Sequence, residues 1–303
     1  MTSGAAIRID HVVKRFGELT AVDGLTLEVP HGTCFGLLGP NGAGKSTTMR
    51  MLTGQAHPTS GSIEVLGLPV PAQSKRARAL MGVVPQQEWL EDQLTCRENV
   101  SIWATLQRVP RAQREAAIAD ALRLAHLTDR ADDRIKTLSG GMKRRLLIAR
   151  SLVHDPDLIL LDEPTVGLDP QIRQELWTLI DELRSRGKTL LMSTHYIEEA
   201  ERLADRVAIV NAGRVIAEGT PLELLSAHAG SEAMEYYGPP ARLAEIERDA
   251  ERAGLLSRRN GPSVSVLRAE QMPVALQDQL GEGHRRAATL EDVFVLLTGE
   301  RLE

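Results

Sequence analysis

The chain has 303 residues, of which 25% are charged and 42% hydrophobic, and its formal net charge at pH 7 is −5. This length and balance predict a globular protein with one large domain and a smaller one. A negative net charge disfavours nucleic acid and anionic lipid as partners held by charge alone. The longest apolar run, residues 293–297, has five residues. A membrane-spanning helix needs about 20, so we expect no span within the chain.

The N-terminal residues and the cysteines bear on the cellular compartment. Residues 1–6 lack the basic start and the apolar core of a secretory signal peptide. The two cysteines, Cys34 and Cys96, have no spacing typical of a metal site. We interpret both as reduced thiols of a cytoplasmic protein.

Alternating apolar and polar residues near the N-terminus predict the strands of a small antiparallel sheet at residues 7–16, 25–29 and 62–66. Gly17 and Gly24 are predicted to form turns around them. Phe16 has two interpretations, a core side chain or a flat platform for a nucleotide base. Base stacking of this kind is worth about 1–3 kcal/mol in other systems, but the residues alone favour the core.

Residues 39–46, GPNGAGKS, match the phosphate-loop pattern G-x-x-x-x-G-K-[ST] at every fixed position. A predicted strand at 34–38 precedes the loop, and a predicted helix at 47–52 follows it. Glycine backbone lets several N–H groups surround phosphate, and the helix N-terminus adds a positive dipole end. Lys45 supplies a charge and Ser46 a hydroxyl that can ligate Mg²⁺. The predicted nucleotide-binding residues here are Gly39, Pro40, Asn41, Gly42, Ala43, Gly44, Lys45, Ser46 and Thr47.

A short predicted strand at 82–87 ends in two amides, the first of which is Gln86. The pattern then becomes helical, which predicts a helical insert over about residues 89–155. Within it, Ser139 is a good N-cap for the following helix, and two glycines come directly after it. This arrangement is either a second anion site or a simple helix cap.

Residues 158–161 are a continuous apolar strand that runs into Asp162 and Glu163. Such strands are typical of a buried parallel sheet, whose carboxyl ends bind ligands. Adjacent carboxylates are costly there unless a cation or a reaction uses them. We predict that Asp162 holds Mg²⁺ and that Glu163 polarises an attacking water. The alternative is a solvated strand end.

An amphipathic helix is predicted from Ile172 to Leu183, and a buried strand at 189–194 comes directly before His195. A histidine at the carboxyl end of a strand can contact a γ-phosphate, although a lone histidine is more often structural. Residues 207–210 and 214–217 are predicted to form a closing hairpin.

The pattern changes after residue 221. We predict a charged helix from residues 239–240 to 251, a single strand at 263–267, and a final helix at 290–297. No catalytic constellation is found after about residue 220. The predicted domains are therefore 7–232 and a small α+β appendage, 233–303.

Together these motifs resemble the ATP-binding cassette (ABC) ATPase family over about residues 7–232. Its signature motif matches residues 138–142, and its dimer-contact loop matches 168–169. The resemblance implies an α/β phosphate-loop ATPase core with a mainly parallel sheet, a small antiparallel subdomain and a helical insert. Met142 stands where many members have Gln. Similar variants at this position occur among exporter ATPases. Residues 290–299 resemble the tail of the nodulation-factor and daunorubicin-type exporter branch.

By this resemblance, the chain is a Mg²⁺-dependent ATPase with ATP and Mg²⁺ as cofactors. The implied catalytic residues are Glu163, His195 and Lys45, and the implied Mg²⁺ residues are Ser46, Gln86 and Asp162. Further nucleotide contacts are implied for Phe16 at the base, for Gln86, and for Ser139, Gly140 and Gly141 acting on ATP held by a second copy.

The implied partners are a second copy, arranged head to tail, and a separate membrane permease. The chain would then be a peripheral subunit on the cytoplasmic face of the inner membrane. The predicted anchors for the permease are Trp89, Leu90, Leu94, Ile102 and Trp103, unless these pack within the insert. The other class considered, a soluble ABC ATPase acting on ribosomes or nucleic acid, usually has two fused cassettes or a long coiled coil.

Overall fold

The computed structural model describes residues 4–87 and 89–299. Residues 1–3 of the N-terminal stretch considered above, Glu88 directly before the predicted insert, and residues 300–303 of the predicted appendage lie outside this part of the chain. The chain divides into two compact units, Met1–Val215 and Ile216–Glu303. We call them the N-terminal unit and the C-terminal unit.

The N-terminal unit begins with the predicted antiparallel sheet, whose strand order is β2-β1-β4-β5. Its strands are β1 (Ala5–Phe16), β2 (Leu19–Pro30), β4 (Ser60–Val65) and β5 (Leu68–Val70). The turn at Gly17 is confirmed, but the turn predicted at Gly24 is wrong. Gly24 lies inside β2 with φ 70°, at a point where the pairing with β1 shifts register. An extra residue in one strand forms a bulge rather than a turn.

The second sheet of this unit has six strands in the order β10-β9-β3-β8-β7-β6. They are β3 (Cys34–Leu38), β6 (Met81–Val84), β7 (Leu158–Asp162), β8 (Thr189–Thr194), β9 (Arg206–Asn211) and β10 (Arg214–Gly219). Four neighbouring pairs, β6/β7, β7/β8, β8/β3 and β3/β9, are parallel. These pairs confirm the predicted mainly parallel core. Burial on both faces is typical of parallel sheets and explains why the strands are continuously apolar.

Two apolar clusters cover the two faces of the six-stranded sheet. On one face, Phe35 and Leu160 pack with the antiparallel sheet and with α1 (Lys45–Leu52). On the other, Ile159 and Leu190 pack with helices of the insert and with α6 (Pro170–Ser185). Two short helices, α2 (Ser74–Arg78) and α7 (Ile197–Leu203), complete the layer arrangement.

The predicted helical insert is present and contains α3 (Cys96–Leu106), α4 (Arg114–Leu124) and α5 (Gly140–Leu152). The apolar side chains Ile118, Ala121 and Leu122 of α4 are buried within an apolar cluster that belongs to the insert itself. This separate core explains why the insert forms a body beside the sheet rather than a loop. None of the described helices is both long and apolar enough to cross a bilayer.

The C-terminal unit is a βαββαβ fold with a final helix. Its sheet, ordered β12-β13-β11-β14, is antiparallel throughout, as in the ferredoxin-like arrangement. The strand predicted at 263–267 is therefore not single, because it pairs with two strands and the sheet contains a third. These other three strands carry charged residues and show little apolar alternation. After α8 (Pro221–Leu224), the elements are β11 (Glu232–Tyr237), α9 (Pro240–Arg252), β12 (Ser257–Asn260), β13 (Ser263–Leu267), α10 (Val274–Leu280), β14 (His284–Ala287) and α11 (Leu290–Thr298).

The units divide inside β10, earlier in the chain than the boundary predicted at residues 232 and 233. The residues between the observed and the predicted boundary belong to the C-terminal unit. They contain a π-helical turn, Leu225–Ala229. Arg268 donates from its backbone N–H to Ala229 O at 3.0 Å and from Nη2 to Ala227 O at 2.7 Å. Sequence periodicity does not register such backbone contacts.

Candidate active site

The phosphate loop joins β3 to α1, as the sequence predicts. Gly44, directly before the helix, has φ 100°, and a Cβ there would lie 2.5 Å from Ala21 O. A Cβ at Gly39 would lie 2.3 Å from Val210 O. Both positions require glycine, because real Cβ atoms do not approach backbone oxygens so closely. Gly44 also has a φ that L-residues rarely adopt. The loop is thus wedged between neighbouring backbones and held in a fixed curve.

Lys45 is buried, with 4% of its surface exposed, and its ammonium group points back into the loop. Nζ donates to Gly39 O at 2.7 Å and to Pro40 O at 3.0 Å, and it lies 3.5 Å from Glu163 Oε1. Burial lowers the pKa of Lys45, while the negative charge of Glu163 opposes that shift. The hydrogen bonds of the ammonium group thus go to neutral carbonyl oxygens. Charged phosphate oxygens are stronger acceptors and can replace them.

Asp162, at the end of β7, gathers two hydroxyl groups. Its Oδ1 accepts from Ser46 Oγ at 3.2 Å and from Ser193 Oγ at 2.6 Å. Hydroxyl and carboxylate oxygens are the ligands that Mg²⁺ prefers, so the side chains of Ser46 and Asp162 fit that ion. Ser193, near the end of β8, was missed by sequence reasoning. A serine within an apolar strand directly before Thr194 and the predicted histidine was the available signal.

Glu163 follows β7 in a left-handed conformation, with φ 47°, and is 6% exposed. Its carboxylate accepts from Gln86 Nε2 at 2.9 Å and lies 3.4 Å from His195 Nδ1. His195 Nδ1 makes no hydrogen bond, so its approach to the carboxylate is a contact only. The backbone N–H of Glu163 donates to Ser193 O and Ser193 Oγ, both at 3.1 Å. Three predicted site residues, Lys45, Gln86 and His195, thus converge on this one carboxylate.

Arg144 is a second residue that sequence reasoning missed. It lies on α5, is buried, and donates to backbone carbonyls on both sides of the site. The residues beside it, Lys143 and Arg145, are also basic, so no local pattern distinguished it. Only the fold reveals which of the three side chains turns inward.

The signature residues lie at the start of α5. Ser139 is the N-cap, and its Oγ accepts from Met142 N at 3.3 Å. Ser139 and Gly140 are exposed, whereas Gly141 is buried against α6. A Cβ at Gly141 would meet Ile172 Cγ2 at 2.2 Å, and one at Gly140 would meet nothing within 4 Å. The cap is confirmed, while the second anion site stays a prediction.

Phe16 is 50% exposed, so its interpretation as a core residue is wrong. It ends β1 and pairs with Leu19 across the turn. Lys14 Nζ lies 4.6 Å from the ring centroid, which keeps a cation over one face. The ring is available to a ligand, and the base-platform role stays a prediction.

Comparison with known proteins places this geometry in a family. The family described as "ABC transporter" matches residues 22–166. The "Nod factor export ATP-binding protein I" of Paraburkholderia xenovorans (strain LB400) is 45% identical over 305 aligned residues, covering 99% of each chain. The protein of the same name from Rhizobium meliloti is 45% identical, covering 98% of this chain and 89% of the relative.

Among solved structures, a similar one is the dimeric post-hydrolysis state of the ATP-binding cassette MJ0796 bound to ADP and Pi. It is 28% identical, with a TM-score of 0.63, and the match covers 71% of this chain and 98% of that one. The match supports the fold inferred from the sheet order and the phosphate loop. The predicted resemblance to the nodulation-factor exporter branch is also confirmed by the full-length relatives, and nothing supports the ribosomal or nucleic-acid alternative. The chain therefore belongs to the ABC transporter family, and it is an ATP-binding, ATP-hydrolysing subunit of the exporter type.

Proposed function

We propose that this ATPase uses Mg²⁺ and drives export through a separate membrane permease from the cytoplasmic face of the inner membrane. The observation that carries the proposal is the buried Glu163 carboxylate, which lies 3.5 Å from Lys45 Nζ and beside the Ser46–Asp162 oxygen pair. A carboxylate in this position can accept a hydrogen bond from an attacking water. The relatives named for Nod factor export make that factor the first transport substrate to assay.

Each side chain has a separate task in hydrolysis. Lys45 and the loop N–H groups bind the phosphates, and Glu163 orients and polarises the water. Ser46, Gln86 and Asp162 would hold Mg²⁺, which neutralises charge that develops on the phosphate oxygens. We assign the contact to the γ-phosphate to His195, which lies 3.4 Å from the Glu163 carboxylate. Catalysis is then mostly positioning and charge stabilisation.

We further propose that two copies act head to tail, with the signature residues of one copy on the ATP of the other. Ser139 and Gly140 support this arrangement because they are exposed, and Gly140 leaves open space where a side chain would lie. An outward-facing helix N-terminus of this kind can bind an anion. The solved cassette MJ0796 is described as dimeric.

The permease contact is proposed for an apolar surface formed by Trp89 and Ile102, which we call the docking surface. Trp89 is 68% exposed and Ile102 47% exposed. The main chain of Trp89 is nevertheless anchored, because its carbonyl accepts from Arg150 Nη1. A large aromatic side chain held outward on a fixed backbone is typical of an interface anchor.

The other three predicted anchors are less accessible, which corrects that part of the prediction. Leu90 and Trp103 are partly buried against the insert's own core, and Leu94 is also partly buried. Arg150 Cζ lies 4.7 Å from the Trp103 ring centroid. These three side chains are therefore left out of the docking surface.

The experiment is to co-express the chain with its candidate permease and to measure permease-dependent membrane pelleting, ATP hydrolysis and transport in vesicles. Trp89→Ala should reduce pelleting and transport, while hydrolysis by the isolated chain stays normal. Glu115→Gln, an exposed change on α4, is the control and should leave all three unchanged. Pelleting that is equal with and without the permease would contradict docking, and normal transport by Trp89→Ala would place the docking surface elsewhere.

A further inference from the structure

Arg144 makes an unusually complete set of hydrogen bonds for a residue outside the recognised motifs. A guanidinium has five N–H donors in a rigid planar fork. Here Nε, Nη1 and Nη2 donate five hydrogen bonds to main-chain carbonyls. The acceptors are Pro164 O at 2.7 Å, Pro85 O at 2.7 Å, Gln86 O at 3.2 Å, Asp162 O at 3.0 Å and Glu163 O at 3.0 Å.

These carbonyls belong to two segments that the sheet brings side by side. Residues 85–86 follow β6, and residues 162–164 follow the neighbouring parallel strand β7. The first segment carries Gln86 and the second carries Glu163, whose side chains meet at 2.9 Å. Arg144 therefore holds the backbone of both segments, one carrying the Gln86 side chain and the other the Glu163 side chain.

The backbone of Glu163 needs such support. A non-glycine residue in the left-handed region is energetically unfavourable and persists only where its surroundings hold it. The Glu163 N–H is bound by Ser193, and the Glu163 carbonyl is bound by Arg144 Nη2. Hydrogen bonds that involve a charged donor are stronger than neutral ones. The two peptide units around Glu163 are thus held in place from opposite sides.

We propose that Arg144 is a positioning residue for ATP hydrolysis: its guanidinium holds the segments that carry Gln86 and Glu163 in register. It contacts neither nucleotide nor water in this role. The required feature is the five-donor fork rather than the positive charge, because the three donors of a lysine ammonium diverge from a single atom and cannot reach carbonyls spread over two segments.

The test compares Arg144→Lys, Arg144→Gln and the control Arg123→Gln, which removes an exposed guanidinium from α4. For each purified full-length chain, Tm is measured first, and all other assays run well below the lowest Tm. The kcat and KM of ATP hydrolysis, and the Kd of a fluorescent ATP analogue, are then determined. Amide hydrogen exchange of residues 85–87 and 162–166 reports directly on the two segments.

We expect kcat to fall about 10- to 100-fold in both Arg144 variants, since small displacements of a catalytic group have effects of this size. KM and Kd should change little, because the phosphate loop is not touched. Exchange should rise in both segments together, and Arg123→Gln should behave as wild type.

Three results would overturn the proposal. Wild-type kcat in Arg144→Gln with a lowered Tm would make the residue purely structural. Recovery of wild-type kcat in Arg144→Lys would mean that charge alone suffices. Unchanged exchange in both segments, with reduced kcat, would mean that Arg144 acts by some route other than positioning these loops.

Discussion

Two clusters of buried and partly buried ionisable side chains, one in each unit, are built differently. The catalytic cluster of the N-terminal unit contains Lys45, Asp162, Glu163 and His195. The cluster of the C-terminal unit, which we call the appendage cluster, ties α11 to the sheet through Arg258, Arg286, Glu235, Glu291 and Asp292.

The appendage cluster is closed upon itself. The fully buried Asp292 accepts from Arg258 Nη1 at 2.8 Å and from Arg286 Nη1 and Nη2 at 2.7 and 2.8 Å. It also accepts from Thr289 N at 3.0 Å, which completes the predicted cap of α11. Its oxygens have partners at short range, so the cluster has the character of a structural fastening.

The catalytic cluster is looser by comparison. Lys45 Nζ and His195 Nδ1 lie 3.5 and 3.4 Å from the Glu163 carboxylate, and the ammonium makes its shorter contacts to carbonyls. The Glu163 carboxylate has one short side-chain hydrogen bond, from Gln86 Nε2 at 2.9 Å, and its longer contacts to Lys45 and His195 can be exchanged for contacts to substrate. The difference teaches that burial of charge alone does not mark an active site. An active site is marked instead by buried charges whose partners can be exchanged for substrate.

The largest effect should follow from Glu163→Gln in the catalytic cluster. Loss of the group that polarises water should reduce kcat about 10²- to 10⁴-fold, while ATP affinity is retained because the phosphate loop is intact. Steady-state hydrolysis and titration with a fluorescent ATP analogue measure the two quantities. Glu175→Gln, a more exposed carboxylate on α6, serves as the control, and normal turnover by Glu163→Gln would remove Glu163 from its assigned role.

Asp292→Asn should break the closed cluster instead. It leaves the buried Arg258 and its neighbour Arg286 without their shared carboxylate, which should cost the C-terminal unit about 3 kcal/mol of stability. Amide hydrogen exchange of β13 and α11 measures that local stability. The isolated chain should keep its kcat, and the exposed change Asp278→Asn should alter neither. A large loss of kcat with unchanged exchange would reverse the contrast between the clusters.

The same residue predicts a pH dependence. Burial by itself raises the pKa of Asp292, but hydrogen bonds from Arg286 and Thr289 and the charges of Arg286 and Arg258 outweigh it, so the pKa lies below its ordinary value of 3.8. The stability gained from this shift is present above 3.8 and lost as pH falls through the folded-state pKa. Calorimetric Tm values should therefore converge between wild type and Asp292→Asn below about pH 4. A constant difference down to pH 2 would contradict this assignment.

Lys45→Ala sharpens the account of the catalytic cluster. It removes the charge that meets phosphate, and hydrogen bonds to charged groups are worth about 1.5–3 kcal/mol. ATP affinity should therefore fall by roughly 10- to 100-fold, as measured by equilibrium titration. Lys75→Ala, an exposed change on α2, should bind normally. Unchanged affinity in Lys45→Ala would mean that the loop is not the nucleotide site.

The smallest effect compares two adjacent glycines of the signature. Gly141→Ala should destabilise the chain by about 1–3 kcal/mol, because the new methyl group overlaps Ile172. Gly140→Ala has open space and should leave Tm unchanged or slightly raised. If a second copy's ATP lies against this turn, Gly140→Ala should instead lower kcat and dimer formation with ATP, measured by sedimentation. Full activity and dimerisation in Gly140→Ala would argue against the proposed sandwich.

Local motifs were determined by the sequence alone. The strand, loop and helix around residues 34–52 are contiguous, so the residues that shape the phosphate loop are neighbours in the chain. The same holds for the caps of α5 and α11, where Ser139 and Asp292 bind backbone N–H groups three residues away. Such contacts depend on short-range geometry that a single stretch of sequence specifies.

Other features were decided only by tertiary structure. Ser193 meets Asp162, and Arg144 reaches residues 85–86, because the sheet order places the carboxyl ends of separate strands side by side. The exposure of Phe16 depends on which layers cover the end of β1. The βαββαβ sheet forms from strands whose charged residues show little alternation of their own. In each case the deciding contact joins residues distant in sequence, so no local pattern could encode it.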